Sequence, residues 1–526
     1  MKNSFYLVIP KQENNPHRAK EYEAKPLQQW INELPAANPG LATRLVHDLI
    51  IEFNTLQVSA ELRIAALEQL RPSFFAIEEN LRNRLTRTGF PKEENDQKVF
   101  NVLVSIEKEL TLSYWIVLKE LSQKSFGWFQ GKQLPLALHR CLSGLSGIVI
   151  SHYLMRMPIP DWIWIDLHSL YKLSVKLKKD TDKITDDPAH PSEKSSPEEC
   201  YKQILLLSLT APNGLMQKEV LLVYHFIKTI CESVHIKNIP VAGQATQYVI
   251  LTDEDKSPFF LTKNDHRPDS ATLYLDFTRL YKVIEHKAKL ANTGEGRFNS
   301  VLALQNNQTP SFDLLEYLFH RWSGFELEST PLFEDRLDRH ITLGLIPTYE
   351  LLSDSLPMTE SEADLPLHTA SESLLTSRFE QSGILSVGRL IGIRKADRRD
   401  NTLILGIVNQ ILFEKKTNKL LFGVQFLASQ CYAVTYNLLD SYKKEEEPLK
   451  ALLYTITEQD GDKSYLITDN FILKDSDVAR IHWKNEDYPV SLLDRKNIGL
   501  GYWQFQCVKM TEKPKTSTST KGYDFI

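Results

Sequence analysis

Paired cysteines, charge of one sign and long apolar runs are all missing from this chain of 526 residues. Its five cysteines stand far apart, at positions 141, 200, 231, 431 and 507, with no Cys-x-x-Cys pair. That scatter excludes a disulfide framework and cysteine-built zinc sites, and it suits a reducing, cytoplasmic setting. With 62 Lys and Arg against 67 Asp and Glu, the net charge is −5. No broad basic field is left for nucleic acid or an anionic membrane. The apolar run Phe5–Ile9 stops at Pro10, too soon for a signal peptide. Tyr114–Leu118 and Ile148–Met157 are flanked or broken by Ser, His, Arg or Lys, so neither a transmembrane span nor membrane insertion is expected.

Catalytic and metal signatures are missing too. Ser143-Gly-Leu-Ser-Gly147 is not Gly-x-Ser-x-Gly and lies in a helical pattern, so close helix packing at small residues explains it better than a nucleophile elbow. His139, His152 and His168 lack His-x-x-x-His spacing and read as helix-core histidines, with no metal implied. Gly294-Glu-Gly296 has no lysine and serine behind it, which rules out a phosphate loop. No enzyme and no cofactor is expected.

What is present describes architecture. Hydrophobic residues make up 42% of the chain and charged residues 25%, ordinary values for a folded protein. Its length calls for several cores. Residues 1–240 read as an α-helical bundle or stacked hairpins. Leu41, Leu45, Leu49 and Phe53 share one face. Ser59 caps a second helix that Pro72 is expected to close, and Val99, Leu103, Ile106, Leu110, Tyr114 and Val117 recur at three- and four-residue steps. Residues 178–198, rich in charge, Pro and Ser, are expected to form a flexible loop. Residues 241–323 read as mixed α and β, with strands near 247–252, 258–262 and 271–276 and helices near 278–290 and 310–322. Residues 324–430 read as a small antiparallel barrel and 431–510 as a second β-rich module with a hairpin at Asp460-Gly461. Residues 511–526 are expected to form a flexible tail. The fold class is multidomain α+β.

The barrel segment carries the functional signal. Arg336, Arg339 and His340 precede the strand Ile341–Leu345. An acidic, polar stretch ends at Glu380-Gln-Ser382-Gly383, and strands follow at 387–393, 402–413 and 420–427. This order resembles PilZ-type domains, receptors for cyclic di-GMP that carry Arg-x-x-x-Arg before the first strand and Asp/Asn-x-Ser-x-x-Gly after it. Helical front and β-rich end together are similar to a group of large proteobacterial proteins with a degenerate PilZ-like barrel. The resemblance implies a ligand, cyclic di-GMP, held by Arg336, Arg339, His340, Glu380, Ser382 and Gly383. A guanidinium forks onto phosphate or guanine O6/N7, and a carboxylate accepts from guanine N1–H and N2–H. The motif departs from the family pattern: His340 stands where the second arginine belongs, Glu380 replaces Asp or Asn, and Gly383 is displaced. Arg394 and Arg398 have the arginine spacing but lie between later strands.

Two functions therefore stay open. One is a non-enzymatic cytoplasmic adaptor that senses cyclic di-GMP and relays it to protein partners through the helical domain. The other is a ligand-independent scaffold whose arginines are solvated surface charges.

Overall fold

Apolar residues at helical spacing build the first part of the molecule, seen in a computed structural model that describes residues 7–123, 130–186, 192–242, 246–262, 271–282, 310–323, 333, 339–353, 365–371, 373–395, 403–414, 417, 419–439, 447–458 and 461–510. The chain divides into two units: Met1–Glu328 with Leu412–Lys419, and Ser329–Ile411 with Leu420–Ile526.

The first unit holds α1 (Pro16–Ala19), α2 (Ala24–Asn32), α3 (Pro39–Thr55), α4 (Ala60–Leu85), α5 (Glu94–Gln123), α6 (Gln130–Met155), α7 (Ile163–Lys176), α8 (Pro197–Leu209) and α9 (Gln217–Ile230). Their starts follow the expected chemistry. Asn38 accepts from Leu41 N–H ahead of Pro39, Ser59 accepts from Leu62 N–H, and Ser196 forms a capping box with Glu199.

Pro72 does not close its helix, contrary to the sequence expectation. Leu67 and Leu70 before it and Phe74 and Ile77 after it are all buried. Each such burial is worth about 1.5–3 kcal/mol, enough together to outweigh the roughly 3 kcal/mol cost of an interior proline. Gly131–Met155, within α6, is long and apolar enough to cross a membrane by length and composition, which corrects the reading that nothing approaches a span. Here it is a core helix, packed against α4, α5, α7, α8 and α9. A Cβ on Gly144 would lie 2.1 Å from Thr111 Oγ1, so the small residues of 143–147 do serve close packing of α6 on α5.

Residues 178–198 are less loop-like than expected. The strands β1 (Ile184–Thr185) and β2 (Lys194–Ser195) pair there, and Ser195 and Ser196 are buried. Beyond α9, β3 (His235–Lys237), β4 (Thr246–Leu251), β5 (Phe259–Thr262) and β6 (Thr272–Asp276) form a sheet in the order β3-β6-β4-β5. Helix α10 (Phe312–Trp322), capped by Ser311, docks nearby, and Trp322 Nε1 donates to Leu206 O at 3.2 Å. Tyr248, Leu275 and Trp322 belong to the same apolar core as α3–α9. Most of the helix expected at 278–290, and the tail 511–526, fall outside the described residues.

The second unit contains two closed six-stranded barrels. The first comprises β7 (Arg339–Leu343), β8 (Leu365–Thr369), β9 (Leu375–Ser377), β10 (Leu390–Lys395), β11 (Leu403–Glu414) and β12 (Lys419–Ala428), closed in the order β10-β11-β12-β9-β8-β7. The polar stretch expected between 345 and 380 is in part structured: α11 (Leu345–Ser353), β8 and β9 lie within it. The second barrel runs through β13 (Tyr432–Leu438), β14 (Leu449–Glu458), β15 (Gly461–Thr468), β16 (Val478–Trp483), β17 (Glu486–Gly499) and β18 (Tyr502–Lys509). Leu390, Leu403 and Leu405 of the first barrel share a core with Leu452, Tyr454 and Ile467 of the second. Leu500 N–H donates to Gly388 O at 3.0 Å, and a Cβ on Gly499 would fall 2.1 Å from that carbonyl.

Candidate functional site

The start of β7 gathers the basic side chains. Arg339 is only 6% exposed, and its guanidinium lies 3.8 Å over the Phe333 ring, which in turn meets Phe426 at 5.6 Å. It is neither the open clamp nor the solvated charge that the sequence offered as alternatives. Stacking uses the guanidinium face, whereas hydrogen bonding uses its edge. In the antiparallel register Arg339 stands opposite Lys395 of β10 and Leu367 of β8, and His340 stands opposite Arg394 and Pro366. Opposed residues share a face. His340 and Arg394 therefore lie on one face of the pair, with Arg339 and Lys395 on the other. The pairing of Ile341 with Ile393 is the signal that would have tied Arg394 to this edge. Arg336 and Arg398 lie outside the described residues.

The second half of the expected motif sits elsewhere on the barrel. Glu380 and Ser382 are exposed in the turn after β9, and Gly383 has φ +78°, a left-handed conformation that favours glycine on backbone grounds alone. Ser377 pairs with Leu367, which pairs with Arg339, so the turn leaves from a strand two removed from β7. Strand register does not join Glu380, Ser382 and Gly383 to Arg339 and His340.

Sequence reasoning missed a polar cluster in the helical unit. His139 Nε2 lies 2.7 Å from Ser195 Oγ, 2.9 Å from Asp186 Oδ1 and 3.1 Å from Cys200 Sγ. Serine, histidine and aspartate in contact suggest nucleophilic catalysis, but the geometry is wrong for it. A triad places its carboxylate at one ring nitrogen and its nucleophile at the other. Here Ser195 and Asp186 face the same nitrogen, while Nδ1 faces Arg140 Nη1 at 3.2 Å. Accepting from Arg140 puts the imidazole proton on Nε2, so no lone pair remains there to activate Ser195. Burial pushes His139 below its usual range and the Cys200 thiol up to about 12. Burial opposes ionisation of Asp186, yet the His139 and Lys228 contacts hold its carboxyl low. Arg140 forks onto Glu68 at 2.9 and 2.8 Å and donates to Thr185 O at 2.9 Å. The cluster is a staple tying α4, α6, α8 and α9 to β1 and β2.

A second buried group joins α4, α5 and α6. Arg82 Nη2 contacts Glu78 at 2.7 Å, Glu107 at 2.8 Å and Gly147 O at 3.2 Å, and Ser151 donates to Glu107 at 2.8 Å. Burial pushes the Glu107 carboxyl up to about 8, the adjacent Arg82 notwithstanding. Glu78, which shares the same guanidinium nitrogen, is the more exposed of the two acids.

Residues 25–241, most of the helical bundle, match a protein-family model. The matched model is described as the N-terminal domain of the cyclic-di-GMP receptor FimW. The cyclic-di-GMP receptor FimW of Pseudomonas aeruginosa is 21% identical to this chain over 337 residues, 64% of this chain and 54% of that protein. The chain thus spans about half the length of the curated relative it matches. No solved structure matches it.

Proposed function

We propose that this protein is a non-enzymatic cyclic-di-GMP receptor or adaptor that works in the cytoplasm and passes the ligand's state to protein partners through its helical unit. The observation that carries the reading is the match of residues 25–241 to the N-terminal domain of a receptor for that ligand, in a chain that also holds a closed barrel with an arginine-bearing edge. Arg336, Arg339, His340, Glu380, Ser382 and Gly383 are the proposed contacts, with Arg394 added because it stands opposite His340. Arg336, Arg339 and Arg394 are the proposed sources of the fork onto phosphate or guanine, the face of Arg339 being stacked on Phe333. Binding alters partner choice only by favouring one arrangement of the protein over another.

Calorimetric titration of the full chain with cyclic di-GMP tests this. Heat of binding is expected, and Arg336→Ala should weaken it by about 1.5–3 kcal/mol, the range for a hydrogen bond to a charged group. Silence up to high micromolar ligand would sink the receptor reading and leave the ligand-independent scaffold.

A further inference from the structure

The helical unit carries a cleft of about 530 Å³ whose two walls have simple origins in the sequence. One wall is α5, where Ile116, Lys119 and Glu120 fall at i, i+3 and i+4 and so share a face. The other is the extended segment before α1. There Glu13 pairs in parallel with Leu56, donating to Thr55 O at 2.8 Å and accepting from Gln57 N–H at 2.9 Å. Alternate residues of an extended chain project alike, which places Gln12 and Asn14 on a common side, and both line the cleft. Gln57 also lines it, so three primary amides border the space. Of the lining side chains on α5, Ile116 is buried, Lys119 exposed and Glu120 half-buried. Behind the wall, the buried Arg63 donates to Phe53 O at 2.9 Å and Leu56 O at 2.6 Å, and its charge interacts with Glu120.

A carboxylate, an ammonium and neutral amides, with a few apolar side chains among them, are groups that suit a guanine nucleotide. A carboxylate accepts from N1–H and N2–H of guanine, whereas adenine would oppose it with the N1 lone pair. Primary amides both donate and accept, which suits O6, N7 and the ribose hydroxyls. A lysine supplies a point charge for phosphate. The volume falls in the roughly 300–1,000 Å³ of small-molecule sites.

We infer that this cleft is a guanine-nucleotide site separate from the barrel edge, in which Glu120 reads the base and Lys119 holds the phosphate. Its relevance to cyclic di-GMP rests on the receptor reading above; the site itself does not. The test is calorimetry of the full chain with GMP, AMP and cyclic di-GMP in turn. GMP should bind in preference to AMP, Glu120→Gln should weaken GMP by about tenfold or more, and Arg336→Ala should leave GMP unchanged. Lys119→Met, an exposed change that spares the core, should weaken GMP but not guanosine. Equal affinity of wild type and Glu120→Gln for GMP, or no GMP binding at all, overturns the cleft whatever the barrel does. GMP bound at the cleft with cyclic di-GMP silent supports the cleft and sinks the receptor reading alone.

Discussion

Glu107 should make the helical unit lose stability as pH rises. Its carboxyl is buried between α4, α5 and α6, bonded through Oε1 to Arg82 and Ser151. Among the described residues Oε2 has no hydrogen-bond partner. Burial raises its pKa from 4.5 to about 8. The folded state thus holds a proton that the unfolded chain has released across that window. Stability from this proton is fully present below 4.5 and is lost as pH climbs through about 8. The ceiling is about 5 kcal/mol, at roughly 1.36 kcal/mol for each tenfold change in proton affinity. Sharing of Arg82 with Glu78 makes the realised value smaller. Glu107→Gln keeps the shape and the acceptor for Arg82 and Ser151 but cannot ionise. Thermal unfolding followed by far-UV circular dichroism at about pH 5 and about pH 9 should show wild type losing more stability over that range than the variant. Parallel losses in the two proteins would refute the buried-proton argument.

Two glycines make sharper steric predictions. Gly144→Ala would set a Cβ 2.1 Å from Thr111 Oγ1, and parting α5 from α6 should cost about 1–3 kcal/mol, read as a lower unfolding midpoint of the helical signal. Gly499→Ala would drive a Cβ against the Gly388 carbonyl, a backbone atom that cannot rotate away, so near-UV circular dichroism should show lost packing in the barrel unit while helical content is kept.

Much of the helical unit was legible because burial there follows a regular period. Val99, Leu103, Ile106, Leu110 and Val117 repeat at helical steps and all are buried in α5. Pro72 misled because a local penalty was weighed without the core residues on both sides of it. The strands β8 and β9 were hidden because LPLHT and LTS are short and partly exposed, with too little alternation to stand out from polar loop. In the second barrel, longer alternating runs made the strands readable, and Gly461, with φ +120°, marks the hairpin the sequence suggested. The candidate site was only half legible. Sequence spacing put Arg339 next to His340, but only the register of β7 with β10 brings Arg394 opposite His340, from 54 positions away. The polar staple had no local trace: Arg140 and Glu68 are 72 positions apart and His139 and Ser195 are 56. Such contacts belong to the packing of helices, which no local pattern encodes.

Calorimetry of the full chain with cyclic di-GMP measures most directly the binding proposed for the arginine-bearing barrel edge. Saturable heat is expected in wild type, reduced by Arg336→Ala and by Arg394→Ala. Wild-type titrations without heat at high micromolar ligand would contradict it, as would affinities indifferent to both arginines.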